Sequence, residues 1–222
     1  MQTKIIFFRN LGTEHWLTTV NKMNHFATLR NFYTFDEIWF VEHYPIFTEG
    51  YSKERENVIF PNNIPIVKTD RGGQITYHGP GQQVLYFLIN LKRRKISIRQ
   101  LIDIMQKIII ETLNDFSLKA YIKKKSPGVY INNKKICSLG LRIKQGSTLH
   151  GLALNVNMDL KPFDYIYPCG DKNIKMTQIK DFIFNVKLKD VQMVLIKKLS
   201  KLFKVIMINS NYNKNLLNHF YE

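Results

Sequence analysis

Apolar residues along the chain fall into a few stretches of helical spacing, separated by shorter runs with a strand-like pattern. Trp16, Val20, Met23 and Ala27, with Phe26 alongside, share one face over residues 14–30 and predict an amphipathic helix. Residues 37–43 (EIWFVEH) predict a strand, which Pro45 and Gly50 close into a loop. Ile64 to Lys68 is a second expected strand, and the aromatic and aliphatic run from Gln83 to Leu91 a buried third. Ser97 and Gln100 form an S-x-x-Q capping box, in which each side chain satisfies a backbone amide at a helix start. Behind it Leu101, Ile102, Met105, Ile108, Ile109, Leu113 and Phe116 recur at helical spacing, so residues 98–116 are the most secure helix of the chain.

In GVYINNKKICSLGLRI (128–143) two apolar runs flank Asn132 and Asn133, a residue type that tolerates positive φ, and a hairpin is expected. A turn at Gln145, Gly146 and Ser147 leads to a strand from Leu149 to Val156. Val191, Val194, Leu195, Lys198, Leu199, Leu202 and Phe203 predict another amphipathic helix over 191–206. From Asn209 to Glu222 the chain is Asn-rich and weakly patterned. No repeat, Pro-rich linker or composition break appears, so one domain over 1–208 and a tail over 209–222 are expected. Strands interrupted by a few helices predict an α+β or mixed α/β fold with a mainly antiparallel sheet and flanking helices.

With 222 residues, 45% of them hydrophobic and 23% charged, the chain can bury one sizeable core. The 33 Lys and Arg outweigh 17 Asp and Glu, a formal net charge of +16 that attracts acidic partners. AT-rich coding also enriches Lys, Asn and Ile, and runs such as Lys92 to Lys95 and Lys123 to Lys125 are more often solvated surface than binding footprint. The charge permits an acidic partner without selecting one. Two cysteines, Cys137 and Cys169, make neither a disulfide framework nor a Cys-rich zinc site. Ile5 to Phe8 is too short for a secretory signal and Val84 to Leu91 too short for a bilayer span, so a cytoplasmic protein with free thiols and no membrane association is expected.

Three segments hold residues that core packing leaves unexplained. RGGQITYHGPGQ (71–82) packs four glycines and a proline into twelve residues, which marks a turn, a bulge or a backbone lying against a ligand. A plain loop meets the composition equally well; Arg71, Thr76, Tyr77 and His78 add the donors and aromatic surface of a pocket wall. The segment lacks the lysine of a GxxxxGK[ST] phosphate loop. Lys135 follows the expected hairpin turn, where a lysine is ordinarily solvated, so its interest depends on what it faces. Cys169 lies between Pro168 and Gly170 in a loop, either as an inert, partly buried thiol or as a nucleophile, whereas Cys137, in an alternating run, is expected in the core.

A cysteine with a lysine suits acyl transfer. A nearby ammonium favours the thiolate, and the same lysine, once it gives up its proton, serves as base toward an incoming amine. A thioester donor is already activated and requires no ATP site.

Taken together, RGGQITYHGPGQ (71–82), Lys135-Ile136 leading into Ser138-Leu139-Gly140-Leu141-Arg142, HGLALNV (150–156) and Pro168-Cys169-Gly170 resemble the lipoyl(octanoyl) transferase, or lipoate-protein ligase B, family. VEHYPIFTEG (41–50) is similar to a further segment of that family, and the likeness runs from about residue 4 to about 205. The resemblance implies a biotin/lipoyl protein ligase-like fold and transfer of octanoyl from octanoyl-acyl carrier protein to a lysine of a lipoyl domain. The acceptors it implies are the lipoyl domains of 2-oxoacid dehydrogenase complexes and the glycine cleavage H protein. It implies no cofactor, no metal and no nucleic acid. It also implies that Cys169 carries the acyl thioester and that Lys135 tunes the thiol and shuttles protons.

By the same resemblance the substrate-lining stretches are Arg71, Gly72, Gly73, Gln74, Ile75, Thr76, Tyr77 and His78, then Ser138, Leu139 and Gly140, then Gly151, Leu152 and Ala153. Their backbone amides are candidate oxyanion donors. Tyr44 stands where the family usually has proline, and Cys137 where a small residue is common, which puts a second thiol near Lys135. Two other readings remain: an ATP-dependent lipoate ligase of the same fold, and a basic nucleic-acid-binding protein, which would leave Cys169 and the glycine segment without purpose.

Overall fold

The computed structural model describes residues 4–52, 63–123, 126–168 and 172–210. In chain order the elements are β1 (Ile5–Glu14), α1 (Trp16–Leu29), β2 (Glu37–His43), β3 (Ile46–Glu49), β4 (Ile66–Lys68), β5 (Thr76–His78), β6 (Gln82–Leu88), α2 (Leu91–Arg94), α3 (Ile98–Asp115), β7 (Tyr121–Lys123), β8 (Ser126–Ile131), β9 (Lys134–Lys144), β10 (Ser147–Asn155), α4 (Leu188–Phe203) and β11 (Ile206–Asn209). Eight strands form one sheet in the order β11-β1-β2-β6-β10-β9-β8-β7. Its β11–β1 and β1–β2 pairs are parallel and the others antiparallel. A second sheet, β4-β3-β5, holds the glycine-rich segment.

Strand alternation sorts the core onto the two faces of the large sheet. Leu85, Phe87 and Ile89 of the β6 run join Leu101, Met105, Ile108, Ile109 and Leu113 of α3 and Val191, Leu195 and Leu199 of α4. Val84, Tyr86 and Leu88 turn the other way, against Met23 and Ala27 of α1. Each of the buried Val, Leu, Ile, Phe and Met side chains among these contributes roughly 1.5–3 kcal/mol of transfer free energy. The expected capping box is present: Ser97 Oγ accepts from the Gln100 amide at 3.2 Å, and Gln100 Oε1 accepts from the Ser97 amide at 2.7 Å. In the β8–β9 hairpin, Asn132 and Asn133 both take positive φ, 46° and 64°.

Strands β1, β3 and β11 depart from the expected pattern in ways that partner strands explain. Ile5 to Phe8 reads only as a short apolar run, yet Ile5–Glu14 is a ten-residue strand; Arg9, Asn10 and a register shift between Asn10 and Thr13 conceal its alternation. The stretch closed by Pro45 and Gly50 is strand β3 rather than loop, held between β4 and β5. The last helix ends at Phe203 instead of 206 because Lys204 adopts a left-handed conformation. Residues Ile206–Asn209 then pair with β1, so the sheet extends to the first residue of the expected tail. Residues 211–222 lie outside the described residues.

Candidate active site

The glycine-rich segment is pinned across the ends of β9 and β3. The Gly72 amide donates to Leu141 O at 2.9 Å, and Arg71 Nη2 donates to Thr48 O at 2.6 Å. The backbones approach so closely that a Cβ on Gly140 would stand 2.8 Å from Gly72 O, and one on Gly151 would overlap the Leu85 carbonyl. Glycine at both positions lets two chain segments meet and opens a cleft of about 540 Å³, counted with its open mouth.

Arg71, Gly73, Gln74, Ile75, Thr76, His78, Ser138, Leu139, Gly140, Gly151, Leu152 and Ala153 all line this cleft. Two of the residues expected there do not. Gly72 is exposed and ties the loop to β9, and Tyr77 turns into a separate cluster, its ring 5.4 Å from Phe47 and 5.5 Å from Phe163. The alternation of β5 explains Tyr77, since its neighbours Thr76 and His78 face the cleft.

Trp16, Val84, Tyr86 and His150 complete the walls, and sequence reasoning gave none of them this role. Trp16 and Tyr86 carry the same periodic signal as core residues. His150 offered only its place beside Gly151; its φ of +61°, within a strand, is uncommon for a residue with a side chain and is found mostly where neighbours enforce it. Here they are Asp70, whose Oδ1 is 2.8 Å from His150 Nε2, and Met23, whose sulfur is 3.3 Å from the His150 amide.

Two buried histidines, His78 on the cleft wall and His43 packed against it, are locked in neutral form. His43 Nδ1 donates to Glu14 O at 3.0 Å while its Nε2 accepts from Tyr86 Oη at 2.8 Å. His78 Nδ1 donates to Gln82 Oε1 at 2.7 Å. Burial lowers the His43 pKa to about 4 and that of His78 to about 3, with His43 adding to the latter shift. Unfolded, both would protonate near 6.5. The unfolded chain therefore binds more protons than the folded one as pH falls below about 6.5, and stability drops by about 1.4 kcal/mol per pH unit per histidine until the folded pKa values are approached. Thermal melts should show a midpoint that declines from pH 6.5 toward 5, before carboxylates titrate; a flat profile in that window would contradict this account.

A chain of buried hydrogen bonds links the three expected motifs. Gln82 Nε2 donates to Asn155 Oδ1 at 3.0 Å, Asn155 Nδ2 to Thr177 O at 2.9 Å, and the Thr177 amide to Lys135 O at 2.9 Å. The Lys135 amide donates to Lys175 O at 2.8 Å. Residues 175–177, six to eight positions beyond Cys169, thus run alongside the start of β9.

Lys135 itself is fully buried, although it follows directly on a hairpin turn. The cause is a bulge: Tyr130 pairs with Lys135 but Val129 with Cys137, leaving Ile136 as an extra residue. This breaks the alternation that would otherwise set Lys135 and Cys137 on one face. Lys135 Nζ donates to Pro127 O at 3.0 Å and lies 5.4 Å from the centre of the Tyr130 ring. Cys137 is buried in the α3/α4 core, where desolvation pushes its thiol well above the ordinary range despite the pull of Lys135. Cys169 lies outside the described residues. Its flanks Pro168 and Lys172 border, with Lys134, Lys175 and Met176, a solvent-open hollow of about 1070 Å³.

Among the described residues no cluster of three or more His, Cys, Asp or Glu could hold a metal ion, and no helix is long and apolar enough to cross a membrane.

A largely apolar cleft between glycine-dependent backbone approaches marks a candidate ligand-binding site on a mixed α/β fold, with Lys135 outside the residues that line it. Solved structures share that fold: lipoate-protein ligase A bound with ATP superposes with a TM-score of 0.73 at 15% identity, covering 100% of this chain and 95% of that one. Biotin protein ligase from Aquifex aeolicus gives 0.53 at 13% identity, over 91% and 69%. Residues 8–200 match the model of the lipoyl protein ligase A/B catalytic domain. A protein named octanoyltransferase from Buchnera aphidicola subsp. Acyrthosiphon pisum is 72% identical over 95% of this chain and 100% of its own. One of the same name from Wigglesworthia glossinidia brevipalpis is 50% identical over 95% of each. The chain belongs to the lipoyl protein ligase A/B catalytic domain family, and it is an acyltransferase.

Proposed function

We propose that the protein carries an octanoyl group from octanoyl-acyl carrier protein to the lysine side chain of a lipoyl domain, through a thioester on Cys169. The observation that carries this reading is the fully buried Lys135, whose backbone is bonded through both its amide and its carbonyl to residues 175 and 177, shortly after Cys169 in the chain. The Cys169 thiolate attacks the donor carbonyl, and the carrier thiol leaves with a proton supplied by the Lys135 ammonium. The acceptor amine then attacks the Cys169 thioester, its proton passes to Lys135, and the thiolate returns beside an ammonium. The acyl chain occupies the cleft formed by Arg71, residues 73–76, His78, 138–140 and 151–153, where Ile75, Val84, Leu139 and Leu152 supply apolar surface. The catalytic unit is one domain that ends with β11.

The test is the mass of the protein after mixing with octanoyl-acyl carrier protein alone. An octanoyl adduct mapped to Cys169 is expected, and addition of a lipoyl domain should discharge it. An adduct on Cys137, or modification of the lipoyl domain from free octanoate and ATP but not from the carrier thioester, would overturn the reading in favour of another thiol or of a ligase.

Lys134, Lys161, Lys172 and Lys175 ring the hollow beside Pro168, with Asp164 the one acid among the described residues that line it. This charge suits acidic donor and acceptor proteins such as the lipoyl domains of 2-oxoacid dehydrogenase complexes and the H protein. Reversing Lys161 and Lys172 to Glu together should raise KM for the carrier-protein donor several-fold while turnover at saturation changes little. The difference should disappear at about 1 M salt, where screening acts over roughly 3 Å; a KM that is unchanged at low salt would remove this surface from the docking path.

A further inference from the structure

A second hollow, of about 1100 Å³ with its open mouth, lies at the other end of α1 and shares no lining residue with the catalytic cleft. Leu11 and Trp39 form its floor on β1 and β2, and Phe26 and Leu29 of α1 its wall, with Leu29 65% exposed. Trp39 is fixed there because its Nε1 donates to Glu37 Oε2 at 2.6 Å.

The rim is cationic in excess. Glu37 is matched one to one by Arg9, which donates through Nε and Nη2 at 2.6 Å each. Asp36, in contrast, is shared by three guanidiniums: Arg30 at 3.1 Å, Arg93 at 2.6 Å and Arg94 at 2.6 Å. One carboxylate shared among three cations leaves this cluster with an excess of positive charge. Of the three, Arg30 faces the hollow; its side chain is only 7% exposed, and its Nε has no hydrogen-bond partner among the described residues. Burial lowers its pKa below the ordinary value and Arg93 adds to the shift, while Asp36 and Glu37 oppose it.

We propose that this hollow binds a small amphipathic anion, with a single carboxylate or phosphate head toward Arg30 and an alkyl body over Leu11, Phe26, Leu29 and Trp39. The head neutralises part of the excess charge in a partly desolvated setting, where charge-assisted contacts are strongest, and the body covers apolar surface that α1 leaves open. The site stands apart from the acyl-transfer reading and does not depend on it.

The two tryptophans separate the sites, since Trp16 lines the cleft and Trp39 the second hollow. In a Trp16→Phe variant, Trp39 emission is followed during titration with sodium octanoate, octyl phosphate or octanol. Saturable binding of either anion is expected, octanol binding at least roughly tenfold more weakly; which anion binds tighter identifies the head group. Arg30→Gln should weaken the anion by roughly tenfold or more. Leu29→Asp, at an exposed position where folding is not at stake, should do the same by placing a negative charge at the mouth. Equal binding of octanol and octanoate, or affinity unchanged in folded Leu29→Asp protein, would overturn the proposal. So would a dimer in sedimentation that Leu29→Asp dissociates, because the hollow would then be an interface between two copies of the chain.

Discussion

Cys169→Ser protein is expected to lose transfer by roughly a thousandfold or more while melting at the wild-type temperature. A thiol near neutrality is already a few per cent thiolate, and a neighbouring ammonium raises that fraction; a serine hydroxyl has no comparable anionic population and needs a strong base at the moment of attack. Lys135 is a poor candidate for that base while protonated. The loss should therefore appear first in the acylation half-reaction, measured as the rate at which octanoyl appears on the protein. Cys137→Ala is the matched control. Its thiol is buried in the α3/α4 core and burial raises its pKa, so its removal should leave transfer within a few-fold of wild type and cost only packing free energy. Transfer that survives in Cys169→Ser but disappears in Cys137→Ala would reassign the nucleophile.

Periodicity was a good guide wherever one face of an element meets a core. The helix over 98–116 and its capping box appear within a residue of their expected limits, and the Asn132–Asn133 turn has the positive φ values that residue choice implied. It was a poor guide at the margins of the sheets. β1 mixes Arg9, Asn10 and Gly12 into its length, β3 is four residues beside a proline, and β11 exists because β1 offers it an edge. None of these has a local signature, because each is stabilised by partners distant in sequence. The site divides in the same way. Glycine density marked the cleft, since close backbone approach at Gly140 and Gly151 demands glycine. Yet nothing local separates Trp16 and Tyr86 from ordinary core residues, or shows that a bulge at Ile136 turns Lys135 inward. A one-residue register shift changes which face a side chain occupies, and register is a property of two strands.

That buried lysine gives the second large effect. Lys135→Met keeps a stem of similar length, which matters because Lys135 Cε and Cδ pack within reach of Gly128, and removes only the ammonium. Replacing a buried ammonium by an apolar group of similar volume relieves a desolvation cost, offset here because the Pro127 carbonyl no longer accepts a hydrogen bond from Nζ. The melting temperature is accordingly expected to stay near that of the wild type. Transfer should fall by roughly a hundredfold to ten-thousandfold, the usual range for a positioned proton-transfer group. A merely structural lysine would not alter the pH dependence, and this is the decisive readout. In the proposed mechanism the ammonium favours the Cys169 thiolate, so the acylation rate of Lys135→Met should rise more steeply with pH than that of the wild type. Acylation should thus recover in alkaline buffer. Under the proposed mechanism, in which Lys135 takes the proton of the incoming amine, discharge to the lipoyl-domain lysine should recover less. If both half-reactions of Lys135→Met run within about threefold of wild type at neutral pH, the buried lysine serves the fold alone and the proton path must run elsewhere.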